Sequence, residues 1–284
     1  MRCKRTTRTH RQSTVHPEDL AHIDAFVASM RRRGLADGTI SKRRRSLELI
    51  ACEARLGELT ADVLDAFLDA RQLNHRTQYC WLSHLSMFYQ WAVMHDIFDR
   101  NPIAKMQRPK MSRLLPKPTQ ESEVDKALAN APTETMRAWV VLGAFAGLRC
   151  CEIATLRGED IDRDAGTFRV VGKGSKPRVI PMHSKVREVL ESAPPVGYVF
   201  RDAALDEPYL PATVSRVGGK YLASLGISNR SMHQLRHRFG SALLETGADI
   251  TTVADLMGHE NLNTTRGYTM VSNQRIRSVV DLLS

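Results

Sequence analysis

The chain has 284 residues, 42% hydrophobic and 25% charged, a balance that excludes a disordered or collagen-like protein and suits about two folded domains. The formal net charge is +10, and residues 1–113 carry most of it, with 20 Lys and Arg against 12 Asp and Glu. The longest run free of charge and strong polarity, Trp139–Leu148, is half of what a membrane span needs, the basic residues 1–14 lack the apolar core of a secretory signal, and five scattered cysteines without a CxxC pair read as those of a reduced, cytosolic protein.

From Pro17 to Asp96 the apolar spacing predicts four helices. Pro17 with Glu18 and Asp19 opens the first, Leu20, Ile23, Val27 and Met30 follow at helical spacing, and Gly34 ends it. The second runs from Thr39 to Leu56 and stops at Gly57, with Ile40, Leu47 and Ile50 inward and Lys42, Arg43, Arg44 and Arg45 outward. Thr60 caps a third through Leu73, with Val63, Leu64, Phe67 and Leu68 as its stripe. The fourth, Arg76 to His95, carries Tyr79, Trp81, Phe88, Tyr89 and Trp91 at a spacing that reads as core rather than as a base-stacking surface.

Residues 15–100 are thus expected to form a helical domain, preceded by a basic tail, 1–14. Two basic runs, Arg31–Arg33 and Lys42–Arg45, point to a polyanionic partner, and a solvated helix face is the plain alternative for each. With 6% aromatics and no RNA-recognition signature, duplex DNA is the better partner. Lys42, Arg43, Arg44 and Arg45 are the candidate DNA contacts. Residues 101–119 interleave Pro102, Pro109, Pro116 and Pro118 with Lys and Arg, an extended basic linker that would let two domains close around a duplex.

In residues 120–284, helices are expected at 120–130 and 133–147, short strands at 160–162, 167–172 and 177–182, and helices at 184–192, 212–225, 231–246, 250–257 and 272–283. The expected fold is mostly α: an N-terminal four-helix domain and an α+β C-terminal domain, helical with a small antiparallel β-sheet.

Several chemistries fail on spacing. Gly172-Lys173-Gly174 lacks the upstream Gly and the following Ser or Thr of a phosphate loop. His233 and His237 lie four apart, as zinc ligands do, but Gln234 stands where a metalloprotease has its Glu base. No Gly-x-Ser-x-Gly elbow is present. The positive set is Arg149, Lys173, His233, Arg236, His259 and Tyr268. His233 and Arg236 project from one helix face, and a set this cationic suits a phosphate. A tyrosine beside such cations is favoured as phenolate and hence as a nucleophile. Taken singly, each residue also has a structural reading.

In order and separation, these residues resemble a known family. Gly147-Leu148-Arg149-Cys150-Cys151-Glu152-Ile153-Ala154-Thr155-Leu156 resembles the first box of the tyrosine recombinases, or phage-type integrases. His233-Gln234-Leu235-Arg236-His237 resembles the second, and Leu256-Met257-Gly258-His259 with Tyr268 the third. The resemblance covers residues 120–284, and the first domain agrees in size, helicity and basicity with the family's core-binding domain.

The resemblance implies a site-specific DNA recombinase. Tyr268 would attack the scissile phosphate to give a 3′-phosphotyrosyl link, Arg149 and Arg236 would hold the non-bridging oxygens, and Lys173 would protonate the leaving 5′-oxygen. His233 and His259 would assist, and Glu152 would hold Arg149. Neither metal nor ATP is required, so no cofactor is expected. The implied partners are double-stranded DNA core or attachment sites and a homotetramer on two duplexes, joined by a C-terminal helix. In the tail, Ile276, Val279, Val280 and Leu283 form one apolar helix face, which would serve that exchange or pack on its own domain. An excision or directionality factor, or a host DNA-bending protein, is a further candidate partner. The setting would be bacterial or infected-host cytoplasm. Phage or mobile-element integration and excision through a Holliday junction competes with Xer-like dimer resolution. Type IB topoisomerase activity and a non-catalytic DNA-binding regulator compete with both.

Overall fold

The computed structural model describes residues 15–110, 119–172, 177–202, 205–227 and 231–258. The chain divides into two compact units, Met1–Arg113 and Leu114–Ser284. In the first, the four expected helices form: α1 (Pro17–Arg32), α2 (Asp37–Ala51), α3 (Ala61–Ala70) and α4 (His75–Met94). Local chemistry sets their starts. Thr60 Oγ1 accepts from the Val63 N–H at 3.3 Å, and Asn74 Oδ1 accepts from the Thr77 N–H at 2.9 Å.

The second helix ends at Ala51 rather than Leu56. The early turn lets Arg55 reach back to Glu18 at 2.5 Å and to the buried Asp19 at 2.9 Å, while the Leu56 N–H donates to Asp19 Oδ1 at 3.3 Å. The third stops at Ala70, and Gln72 takes a left-handed φ of 46°. Ile23, Phe26, Met30, Leu47, Ile50, Leu64, Leu85 and Phe88 fill the core between the helices. Phe88 and Tyr89 are buried as expected, with Phe26 and Phe88 edge to face at 5.5 Å, but Tyr79, Trp81 and Trp91 are only half-buried. Leu20 and Val63, expected inside, lie on the surface.

The second unit contains α5 (Glu121–Ala129), α6 (Glu134–Phe145), α7 (Cys150–Ala154), β1 (Ile161–Asp162), β2 (Thr167–Val171), β3 (Pro177–Pro181), α8 (Ser184–Leu190), β4 (Arg201–Asp202), β5 (Glu207–Pro208), α9 (Pro211–Ser224), α10 (Met232–Glu245) and α11 (Ile250–Met257). The one-and-a-half-turn α7 and the tiny β4–β5 hairpin are additions to the expected elements, both too short for a periodic pattern. Apolar on nearly every side, α6 is buried and runs through the middle of the core, with Trp139, Val140, Leu142 and Ala144 covered.

Strands β1, β2 and β3 form an antiparallel sheet in that order. Phe168 pairs with Ile180 and Val170 with Arg178. These four share the inner face, because side chains alternate along a strand. The result is an inversion in β3: Val179 is 60% exposed, whereas the Arg178 side chain is 10% exposed. The observed class, mostly α with small antiparallel sheets, is the expected one. Residues 1–14, the linker segment 111–118 and the helix expected at 272–283 lie outside the described residues.

Candidate active site

Arg149 sits at the N-cap of α7, with its backbone extended. Gly147, two residues earlier, has φ +64°, and a Cβ there would stand 2.4 Å from the Phe239 ring, so only glycine lets the chain pass this close to α10. That turn delivers Arg149 onto Glu152, which α7 carries three residues later. The Glu152 carboxylate is 1% exposed and fully engaged. Its Oε1 accepts from Arg149 Nη1 and Arg178 Nη1, each at 2.8 Å. Its Oε2 accepts from the Arg149 N–H at 2.8 Å and from Arg178 Nη2 at 2.9 Å. Arg236 Nη1 lies 3.7 Å from the same Oε2. Burial alone would raise the Glu152 pKa, but the hydrogen bonds from Arg178 and the Arg149 N–H, with both positive charges, hold it below the usual carboxylate value.

The three arginines share a second anchor, the C-terminal end of α11. Arg178 Nε donates to the Leu256 carbonyl at 2.8 Å, Arg236 Nη2 donates to the Met257 carbonyl, and Arg149 Nη2 donates to the Gly258 carbonyl at 2.9 Å. Such carbonyls have no partner within their own helix, and the helix dipole makes that end negative. Gly258 ends α11 in the left-handed conformation, φ 59° and ψ 51°. Arg236 also donates to the Gly147 carbonyl at 2.5 Å, and the whole residue is 0% exposed.

His233 lies one turn before Arg236 on α10, on the exposed side. Its ring stands edge to face with that of His237, 4.6 Å between centroids. Local desolvation first, then the charges of Arg236 and Arg149, keep the His233 pKa below its ordinary 6.5. Desolvation, followed by His233 and Arg236, lowers that of His237 to about 4.

Of the six expected active-site residues, Arg149, His233 and Arg236 are thus brought together. Lys173, His259 and Tyr268 lie outside the described residues, although the described chain stops at Gly172 and Gly258, directly before the first two. Arg178 belongs to the cluster and is absent from the sequence-based set. Its pairing opposite Val170 turns it inward, and no local pattern in the sequence marks it. Among the described residues, no group of three or more His, Cys, Asp or Glu is placed to hold a metal ion. No helix among them is long and apolar enough to cross a membrane.

Residues 117–275, more than half of the chain, match the family model described as the phage integrase family. The chain belongs to this family. A tyrosine recombinase of Pseudothermotoga lettingae is 35% identical over 205 residues, 68% of this chain and 70% of the relative. Tyrosine recombinase XerD of Shewanella oneidensis is 31% identical over 287 residues, 90% of this chain and 94% of the relative. The fold is similar to that of a lambda integrase(75-356) dimer bound to a COC′ core site, with a TM-score of 0.72 at 19% identity, covering 88% of this chain and 94% of that one. The integrase of mycobacterium phage Brujita is 28% identical, with a TM-score of 0.50, covering 90% of this chain and 89% of that one. This phage integrase family member is therefore an enzyme, a tyrosine-type site-specific DNA recombinase.

In the first unit of the recombinase, the four candidate DNA contacts do not behave alike. Lys42 and Arg45 line a groove of about 640 Å³ between α2 and α4, together with Arg76, Trp81 and His84. Arg44 turns away, paired with Asp24 at 2.7 Å and Glu48 at 2.6 Å, and Arg43 Nη1 rests 3.6 Å from the Met30 sulfur.

Proposed function

We propose that this recombinase cleaves and rejoins duplex DNA through a 3′-phosphotyrosyl intermediate on Tyr268, and integrates or excises a phage or mobile element by way of a Holliday junction. The observation that carries the reading is the convergence of Arg149 and Arg236 on the end of α11, from which the chain continues to His259 and then Tyr268. Arg149 and Arg236 bind the non-bridging oxygens and offset the charge that grows in the transition state. In the present conformation Arg236 is enclosed, so its contact with a phosphate requires that enclosure to open on DNA. Lys173 donates the proton to the leaving 5′-oxygen. His233, neutral at pH 7 by the direction of its pKa, and His259 assist phosphate binding and proton transfer. No metal or nucleotide takes part.

The proposed organisation assigns residues 15–100 to DNA binding, 101–119 to a basic linker and 120–284 to catalysis. Lys42 and Arg45, in the α2–α4 groove, supply phosphate contacts. The working assembly is a tetramer on two duplexes, linked through residues 272–284, in a bacterial or infected-host cytoplasm and with accessory bending or directionality factors. The likeness to XerD over 90% of the chain favours a second reading, resolution of chromosome or plasmid dimers.

The test incubates the protein with nicked duplexes tiled across the DNA flanking its gene, in EDTA, and looks for a protein–DNA adduct on denaturing gels. An adduct that is absent with Tyr268→Phe is the expected result. Tight binding without an adduct would overturn the catalytic reading in favour of a DNA-binding regulator. Relaxation of supercoiled DNA without exchange between two duplexes would favour topoisomerase-like chemistry. A second set of nicked duplexes, tiled across chromosomal DNA far from the gene, that gives an adduct where the flanking set gives none would favour the resolvase.

A further inference from the structure

Arg178 has no place in the chemistry just proposed, yet its guanidinium is engaged through Nε, Nη1 and Nη2. It spends three donors on two targets: Nη1 and Nη2 clasp both oxygens of Glu152, and Nε holds the Leu256 carbonyl. The fork geometry of arginine matches a carboxylate in this way, and a lysine has no equivalent. Its setting is unusual for a strand residue. In β3 it takes the inward position opposite Val170, while Val179 is turned out to solvent. Ile180, 1% exposed on the same face, carries Arg178 inward, and the hydrogen bonds to Glu152 and α11 satisfy its guanidinium there.

Those bonds decide what Glu152 can do to Arg149. A buried carboxylate must be compensated, and Glu152 meets Arg149 and Arg178 at 2.8 Å each, with Arg236 farther away at 3.7 Å. Because Arg178 takes it end-on with both Nη atoms, Arg149 meets only one oxygen through Nη1. Without Arg178, the carboxylate would draw in the Arg149 guanidinium and partly neutralise it. The bond to Leu256 acts at the other end, fixing α11 two residues before the chain leaves Gly258 for His259. Arg178 also stands five residues after Lys173 in the sequence, and its side chain ties β3 to both structures.

We propose that Arg178 is a positioning residue of the strand-cleavage reaction, orienting Arg149 through their shared carboxylate and fixing the end of α11 that leads to His259. The proposal rests on the function inferred above. It is tested by single-turnover cleavage of the nicked duplex that gives the wild-type adduct, using full-length Arg178→Lys and Arg178→Ala. The rate constant reports each correctly folded molecule, whereas the amplitude reports how many there are. The expected result is a rate constant lower by about 10²-fold in both variants, the scale of a small misplacement of a catalytic group, with DNA affinity within about threefold of wild type. Combining Arg178→Lys with Arg149→Lys should slow the reaction hardly beyond Arg149→Lys alone, because one change acts through the other. A wild-type rate constant with reduced amplitude would overturn the proposal and leave Arg178 a scaffold residue. Full multiplication of the two effects would overturn it as well. Absence of any wild-type adduct would instead overturn the function itself, a result visible before either variant is compared.

Discussion

Glu152 carries one negative charge among three guanidiniums, and the residue chemistry of the site follows from that imbalance. Replacing it with alanine leaves Arg149, Arg178 and Arg236 facing each other without a counter-charge. Loss of one partner from such a buried network typically costs about 3–5 kcal/mol, so Glu152→Ala should lower the urea midpoint strongly, and Glu152→Gln, which keeps the oxygen acceptor, less so. A second residue-scale prediction concerns His237, whose pKa is lowered to about 4 from 6.5. The unfolded chain takes up this proton near pH 6.5 and the native chain only near 4. Stability from this group is therefore complete above pH 6.5 and is lost as the pH falls toward 4. The slope is at most about 1.4 kcal/mol per pH unit. Urea unfolding at pH 7 and pH 5 should show that loss in the wild type and a smaller one in His237→Phe; equal losses would remove His237 from the account. Arg149, His233 and Arg236 stand out in the sequence because the boxes around them resemble those of the tyrosine recombinases. Arg178 is not, since an arginine in a short strand gives no local sign that it points inward.

At the scale of elements, α11 shows why some boundaries are readable. The sequence predicts it at 250–257 and it occupies Ile250–Met257, because both ends are set by local chemistry. Asp249 caps the start, accepting from the Thr251 and Thr252 N–H groups at 2.9 Å each, and Gly258 closes the end. The second helix departs from its expected end for the opposite reason: residues 52–56 have good helical composition, and their turn is imposed by Asp19, 36 residues upstream of Arg55. Helix α7 leaves no mark in the periodicity because five residues are too few to show one, although Ile153 and Ala154 are buried beside Glu152. The end of α11 also offers a prediction. A Cβ on Gly258 would meet Arg178 Nη1 at 3.0 Å, and the left-handed backbone costs an L-residue about 1–2 kcal/mol. Gly258→Ala should therefore slow adduct formation more than it weakens DNA binding, measured by single-turnover cleavage and by titration of the same duplex. An unchanged rate would separate the end of α11 from the chemistry.

Across the whole molecule, charge and chemistry are divided between two units. The basic excess lies in residues 1–113, whereas Arg149, His233 and Arg236 stand in the second unit. The groove between α2 and α4 refines the sequence reading of its basic run. Lys42 and Arg45 line it, while Arg44 is committed to Asp24 and Glu48. Neutralising Lys42 and Arg45 together should reduce the slope of log K against log salt by about 2, one for each phosphate that is no longer neutralised. Arg44→Gln should leave that slope unchanged. Equal effects from Arg44 and from the Lys42–Arg45 pair would contradict the division. Overall composition predicts a polyanion partner but not which cations are available to it, since that depends on the acids each one meets after folding.

The enclosure of Arg236 has a consequence for fidelity. If a phosphate must displace what surrounds this side chain before it can be held, the free energy of that displacement comes from the rest of the DNA contact. A duplex that fits poorly can remain bound and still fail to meet that cost. Cutting would then discriminate between sequences more sharply than binding does, so stray occupancy along a chromosome would leave few broken strands.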